Sequence, residues 1–91
     1  MWTWVAIGNF GYIGLGVEAN GVTNKFYKYN IYSNIWSEVA DFPGDARNGA
    51  VSFVIDNIAY VGTGFGNGIY YNDMYAYDPI ANSWSAIANF P

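Results

Sequence analysis

The amino-acid sequence predicts an all-β protein made of two four-stranded antiparallel units. Three observations point there. The 91-residue chain repeats itself: shifted by 48 positions, residues 1–43 align with 49–91 without a gap and share 14 identities. Apolar segments are short, evenly spaced and bounded by Gly, Asn, Asp and Pro, as strands and turns are. No segment shows a helical period. A repeat period near 50 residues is the mark of an architecture built from one recurring supersecondary unit.

Each element follows from local chemistry. In the first unit, Trp4–Ile7 and Phe10–Ile13 read as two strands joined at Gly8-Asn9. Lys25–Tyr29 forms the third strand and Ile35–Val39 the fourth. In the second unit the apolar run Ala50–Ile55 turns at Asp56-Asn57, residues that tolerate the positive φ of a two-residue hairpin loop. Ile58–Val61 follows and ends at Gly62-Thr63-Gly64. Asp73–Tyr77 is the third strand, with Tyr75 and Tyr77 on one face. Asp78-Pro79 begins the turn into the fourth, Ser83–Ile87. The segments Val17–Asn24 and Phe65–Asn72 read as loops between strands two and three. Only Gly44–Asn48 has no counterpart in the repeat.

Composition removes several function classes. The chain has no Cys and no His, so it offers no disulfide, no Cys/His zinc site and no His-based triad. Seven acids stand against Lys25, Lys28 and Arg47, a net charge of −4. Three basic residues cannot form the footprint of a nucleic-acid binder, and anionic membranes are equally poor partners. No apolar run approaches the ~20 residues of a membrane span. Met1-Trp2-Thr3-Trp4 lacks a basic leader region, so no signal peptide is visible. Absence of Cys suits the cytoplasm and secretion alike, and localisation stays open. Hydrophobic residues are 53 % and charged residues 11 %. That is far less charge than the about 25 % of a typical soluble domain.

The order Gly14-Leu15-Gly16, Tyr27-Lys28-Tyr29, Asn34-Ile35-Trp36, Phe42-Pro43 recurs. In the second unit it reads Gly62-Thr63-Gly64, Tyr75-Ala76-Tyr77-Asp78-Pro79, Asn82-Ser83-Trp84, Phe90-Pro91. This succession resembles the kelch repeat over essentially the whole chain. It departs from the usual pattern in splitting the adjacent double glycine, a form similar to bacterial variants. The resemblance implies two four-stranded β-propeller blades, 1–43 and 49–91, joined by a linker at 44–48. Closed propellers have about 4–8 blades, so two blades leave two broad apolar faces in water, and monomers rarely expose such patches. Repeated blades associate head to tail, and such contacts close into rings. The propeller is therefore expected to be completed by homo-oligomerisation. A trimer would give six blades and is favoured; a tetramer would give eight. The chain is expected to start at an innermost strand and stop after an outermost one, as a propeller fragment or an engineered two-blade unit would.

Candidate residues fall into three groups. Gly14, Gly16, Tyr29, Trp36, Gly62, Gly64, Tyr77 and Trp84 occupy positions shared by both units and are expected in the structural core of the blades. Trp2 and Trp4 break the repeat on the innermost strand and, with the lone Arg47, are candidates for the hub or an interface. The loops between strands two and three offer Glu18, Asn20, Asn67, Tyr70 and Tyr71 as possible contacts for a glycan or peptide. The acids are scattered, with no calcium-loop spacing. No enzymatic role and no cofactor are expected. Some members of the kelch family are enzymes, one with copper, but the His and Cys of that copper site are missing here.

Overall fold

The computed structural model describes residues 1–19 and 21–91. Two four-stranded antiparallel sheets dominate it. The first has the order β1-β2-β5-β6, from β1 (Thr3–Ile7), β2 (Phe10–Gly14), β5 (Phe26–Asn30) and β6 (Ile35–Val39). The second repeats that order with β7 (Val51–Ile55), β8 (Ile58–Gly62), β11 (Met74–Asp78) and β12 (Ser83–Ile87). The eight strands lie within one or two residues of the predicted spans. The loops predicted between strands two and three instead hold short two-stranded ribbons, β3 (Val17–Glu18) with β4 (Gly21–Val22) and β9 (Phe65–Gly66) with β10 (Ile69–Tyr70). Two residues per strand are too few to leave an apolar period in the sequence. No helix among the described residues is long and apolar enough to cross a membrane.

Turn chemistry sets the hairpins. Asp56 and Asn57 both have positive φ, 53° and 64°. In the equivalent turn only Gly8 does, at 58°, the pattern of a loop with Gly at its first central position. Asn30 and Asp78 each accept bonds from backbone N–H groups two and three residues on, and Asn34 and Asn82 close these turns with φ of 59° and 50°. Gly14 and Gly62 recur for a different reason. A Cβ there would sit 2.3 Å from the Lys25 carbonyl and 2.2 Å from the Asp73 carbonyl, so only glycine permits the close approach of strand two to strand three.

The sheets pack face to face as two blades of a partial propeller. Registry assigns the faces, since directly paired residues share a side. The back of blade one presents Thr3, Val5, Ile7, Tyr12 and Phe26. The front of blade two presents Ala59, Val61, Tyr75, Tyr77 and Trp84. Together with Leu15 and Phe42, most of these form the core between the sheets. The contact continues to the inner edge, where β1 lies beside β7. There Thr3 Oγ1 donates to the Ala50 carbonyl at 3.2 Å and Ser52 Oγ to the Trp4 carbonyl at 2.9 Å.

Candidate functional site

The surfaces with chemistry to offer are the junction between the blades, the two outer faces and the ribbons. At the junction, Arg47 is fully buried. Its Nε donates to the Asp45 carbonyl at 2.9 Å and its Nη1 to the Thr63 carbonyl at 3.0 Å. Both Nη groups bond the Asp73 carboxylate, Nη2 at 2.9 Å. The guanidinium also packs on Tyr71, 4.0 Å from its ring centre, and on Phe42 at 4.9 Å. A buried cation is tolerated because its donors meet two carbonyls and a carboxylate. In return Arg47 holds the Asp73 carboxyl below its ordinary range, against the opposing effect of burial, with help from the Tyr75 hydroxyl. Each guanidinium nitrogen bonds a group of the chain itself, so the pair works as a clamp between the connection and blade two.

Around the clamp, a set of groups crosses from one blade to the other. Trp84 Nε1 donates to the Ala40 carbonyl at 3.0 Å. Asn82 Oδ1 accepts from the Ala40 N–H at 2.9 Å and from the Tyr77 hydroxyl at 2.8 Å. Phe42 inserts between Tyr75 and Trp84, with ring centres 4.9 and 5.3 Å away and nearly perpendicular planes. Burial, then the neighbouring Tyr12 and Asp78, pushes the Tyr77 hydroxyl up to about 12.

The outer faces are apolar and bare. Thr3, Val5 and Ile7 are 3, 6 and 8 % exposed on the covered back of blade one. Their counterparts on the back of blade two, Val51, Phe53 and Ile55, are 51, 46 and 55 % exposed. The front of blade one carries Trp4, Ile13, Tyr27, Tyr29 and Trp36. Trp36, expected in a blade core, is 57 % exposed. The surface that buries its counterpart Trp84 belongs to the adjacent blade, and the front of blade one has no adjacent blade within the chain.

The remaining predicted residues spread over the surface. Trp2 lies against Gly16, where a Cβ would be 2.2 Å from its ring, and Trp4 is well exposed. Both border a groove of about 400 Å³ between the innermost strands, shared with Thr3, Ala50 and Ser52. Gly64 has a φ of 92° and lies under the Asn48 carbonyl. Glu18 is exposed on its ribbon. Asn67 turns the second ribbon with a φ of 51°. Tyr70 stands out from that ribbon with its ring 4.7 Å from Phe65. Tyr71 instead folds back on Arg47 and donates to Asp45. Asn20 lies outside the described residues. The sequence reading did not single out Asp73, Phe42 or Asn82. The signal for two of them was present, since Phe42/Phe90 and Asn34/Asn82 are identities of the repeat. No group of three Asp, Glu, His or Cys residues among those described could hold a metal ion.

The family profile described as Kelch motif matches residues 46–91. No curated protein matches the chain. Solved structures do, 76 chains in number. One is the structure of YjhT, with a TM-score of 0.85 at 31 % identity. That match covers 99 % of this chain and 27 % of the other, so the chain spans little more than a quarter of that protein.

Proposed function

Given that this chain belongs to the kelch-repeat family, we propose that it is a non-enzymatic interaction module whose blades, 1–43 and 49–91, complete a propeller by packing head to tail on further copies of the same chain. One observation carries this reading. The groups that make the internal blade contact are the ones the repeat preserves. Tyr75, Tyr77, Asn82 and Trp84 on the covered front have identical counterparts Tyr27, Tyr29, Asn34 and Trp36 on the bare front. Ala40 and Phe42 have identical counterparts in Ala88 and Phe90. Contacts within blade one, from Tyr29 to Asn34 and Trp36, account for part of this identity; keeping Tyr27 and Phe90 in register as well fits a face that meets another blade. The same geometry applied between copies would let Trp36 donate to the Ala88 carbonyl of the next copy, with Phe90 seated between Tyr27 and Trp36. Such a contact is heterologous and closes into a ring when the rotation allows. A trimer supplies six blades, a tetramer eight.

Size-exclusion chromatography with light scattering tests this across a concentration series, because an association held by packing alone follows mass action. A mass three times 10.1 kDa is the expected result, with four times that value the alternative ring. A well-behaved monomer at micromolar concentration overturns the proposal. A second reading, binding of a glycan or peptide, is favoured by the exposed Phe65–Tyr70 pair, its tilted rings 4.7 Å apart, on the ribbon that also carries Asn67. A glycan array showing no binding at high concentration removes its carbohydrate form.

A further inference from the structure

A cavity of about 400 Å³ opens between the blades where the β1–β2, β7–β8 and β11–β12 turns meet, at the end of the junction away from the ribbons. Ile7 and Phe10 line it from blade one, Pro79 and Ile80 from blade two. Ile80 is 96 % exposed, an apolar side chain standing bare at the rim. Two polar groups join these walls. Tyr12 and Lys28 are directly paired across β2 and β5, so their side chains leave the sheet on the same side, and both line the cavity. Lys28 Nζ stands 5.0 Å from the centre of the Phe10 ring. The ion pairs among the described residues are those of Lys25 and Arg47, and none involves Lys28. Tyr12 is only 4 % exposed. Burial alone raises its pKa, with no hydrogen bond contributing, yet no side-chain oxygen among the described residues is both sealed from solvent and unbonded. The Tyr12 hydroxyl therefore opens onto the cavity. Asp78 spends a carboxylate oxygen on the Ile80 and Ala81 N–H groups, and neither it nor Asp56 lines the cavity.

Blade packing does not require this set. Tyr12 recurs as Tyr60, but Phe10 and Lys28 correspond to Ile58 and Ala76. A mostly apolar hollow of a few hundred Å³ with a few convergent polar groups has the form of a small-molecule site. We propose that this cavity binds a small apolar monocarboxylate, with Lys28 Nζ and the Tyr12 hydroxyl donating to the carboxylate and Ile7, Pro79 and Ile80 holding the hydrocarbon. One ammonium balances one negative charge, and the apolar walls on both blades exclude a ligand that is polar all round. Both walls belong to a single chain, so the site exists whether or not further blades complete a propeller.

Phenylacetate, titrated into the full chain labelled with nitrogen-15, tests this through amide chemical shifts. Saturable shifts are expected at Gly8, Asn57 and Ile80 and not on the ribbons, with a dissociation constant on the order of a millimolar for so small a ligand. 2-Phenylethanol keeps the ring and loses the charge, and should bind about tenfold more weakly. Lys28→Met should weaken phenylacetate by a similar factor and remove the preference for the acid over the alcohol. Lys28→Arg keeps that preference, Tyr12→Phe reduces affinity severalfold, and Lys25→Met leaves it unchanged. The amide spectrum of each variant reports that the blades remain folded. Absence of saturation in the tens of millimolar, shifts scattered over the surface, or equal binding of acid and alcohol by the parent chain each overturn the proposal. So does a Lys28→Met variant that binds phenylacetate as the parent does.

Discussion

Blade one and blade two carry the same Tyr, Asn and Trp on their front faces, yet only one set is at work. Trp84 packs on Phe26 and Phe42 and donates to Ala40. Trp36 packs on the Tyr29 ring of its own blade, 5.0 Å away, and stays 57 % exposed. The back faces show the reverse: Phe42 is fully buried and Phe90 is 59 % exposed. Identical side chains thus sit in opposite environments within one chain. Burial in a repeat protein belongs to the interface between units and not to the unit. The bare front and bare back are halves of the contact that the chain makes once internally.

The largest expected effect breaks this comparison at its centre. Phe42→Ala removes a fully buried ring that touches Tyr75, Trp84 and the Arg47 guanidinium. A loss of about 3–5 kcal/mol is expected, measured by urea unfolding of the isolated chain. Phe90→Ala changes the same residue at the equivalent position. It should cost the isolated chain less than about 1 kcal/mol, because an exposed ring has little burial to lose. Its effect should appear in assembly, as a shift of the light-scattering midpoint to higher concentration. If both variants destabilise the isolated chain equally, the two positions are not distinguished by burial and the contrast fails.

The clamp gives the next effect. Arg47→Met keeps the stem that packs on Phe42 and Tyr71 but strips Asp73 of its cation, leaving a carboxylate in a partly buried site. About 2 kcal/mol is expected, below the 3–5 kcal/mol of a fully buried broken pair, because Asp73 is partly solvated. The pH dependence has a definite sign. Asp73 has a lowered carboxyl pKa in the folded chain, so its contribution is present above the unfolded value near 3.9. It is lost as pH falls through the lower folded value. Asp73→Asn should flatten that acid limb in a urea titration at stepped pH. Blade one has no such acid at this place, so its own acid sensitivity should be unchanged.

Much of this comparison was legible in the residues and part of it was not. The eight strands were readable because each turn is written in Gly, Asn or Asp and each strand alternates or runs apolar. The identities Phe42/Phe90 and Asn34/Asn82 pointed to positions under one constraint, but not to whether that constraint was turn geometry or contact across blades. Only coordinates show Asn82 accepting from Ala40 across the junction. The role of Asp73 was hidden for a physical reason. It is a repeat mismatch, and its partner Arg47 lies in the one segment with no counterpart. Trp36 matches Trp84 in sequence position but is 57 % exposed, because the sequence of one blade does not show which blade faces are covered within the chain.

The smallest effect sharpens a difference the repeat conceals. Leu15 and Thr63 sit at the middle of the two Gly-x-Gly segments, and both have left-handed backbones, with φ of 50° and 57°. Each N–H there bonds the carbonyl just before the third strand of its blade, Lys25 at 3.2 Å and Asp73 at 3.0 Å. A left-handed L-residue costs about 1–2 kcal/mol, and a β-branched one is the less tolerated. Thr63→Gly removes that strain, against about 0.5–1 kcal/mol of added freedom in the unfolded chain. A net gain of about 0.5 kcal/mol is expected, read as a small rise in the urea midpoint at constant slope. Leu15→Gly relieves the same strain but empties a fully buried site in the core between the blades. Removal of a buried Leu costs about 2–5 kcal/mol, so this variant should be less stable than the parent. Opposite signs at equivalent positions would show that packing of Leu15 across the junction outweighs the left-handed strain there, whereas the Thr63 side chain, outside the core, does not offset it. Equal signs would mean that the left-handed geometry, and not the burial of Leu15, governs both sites.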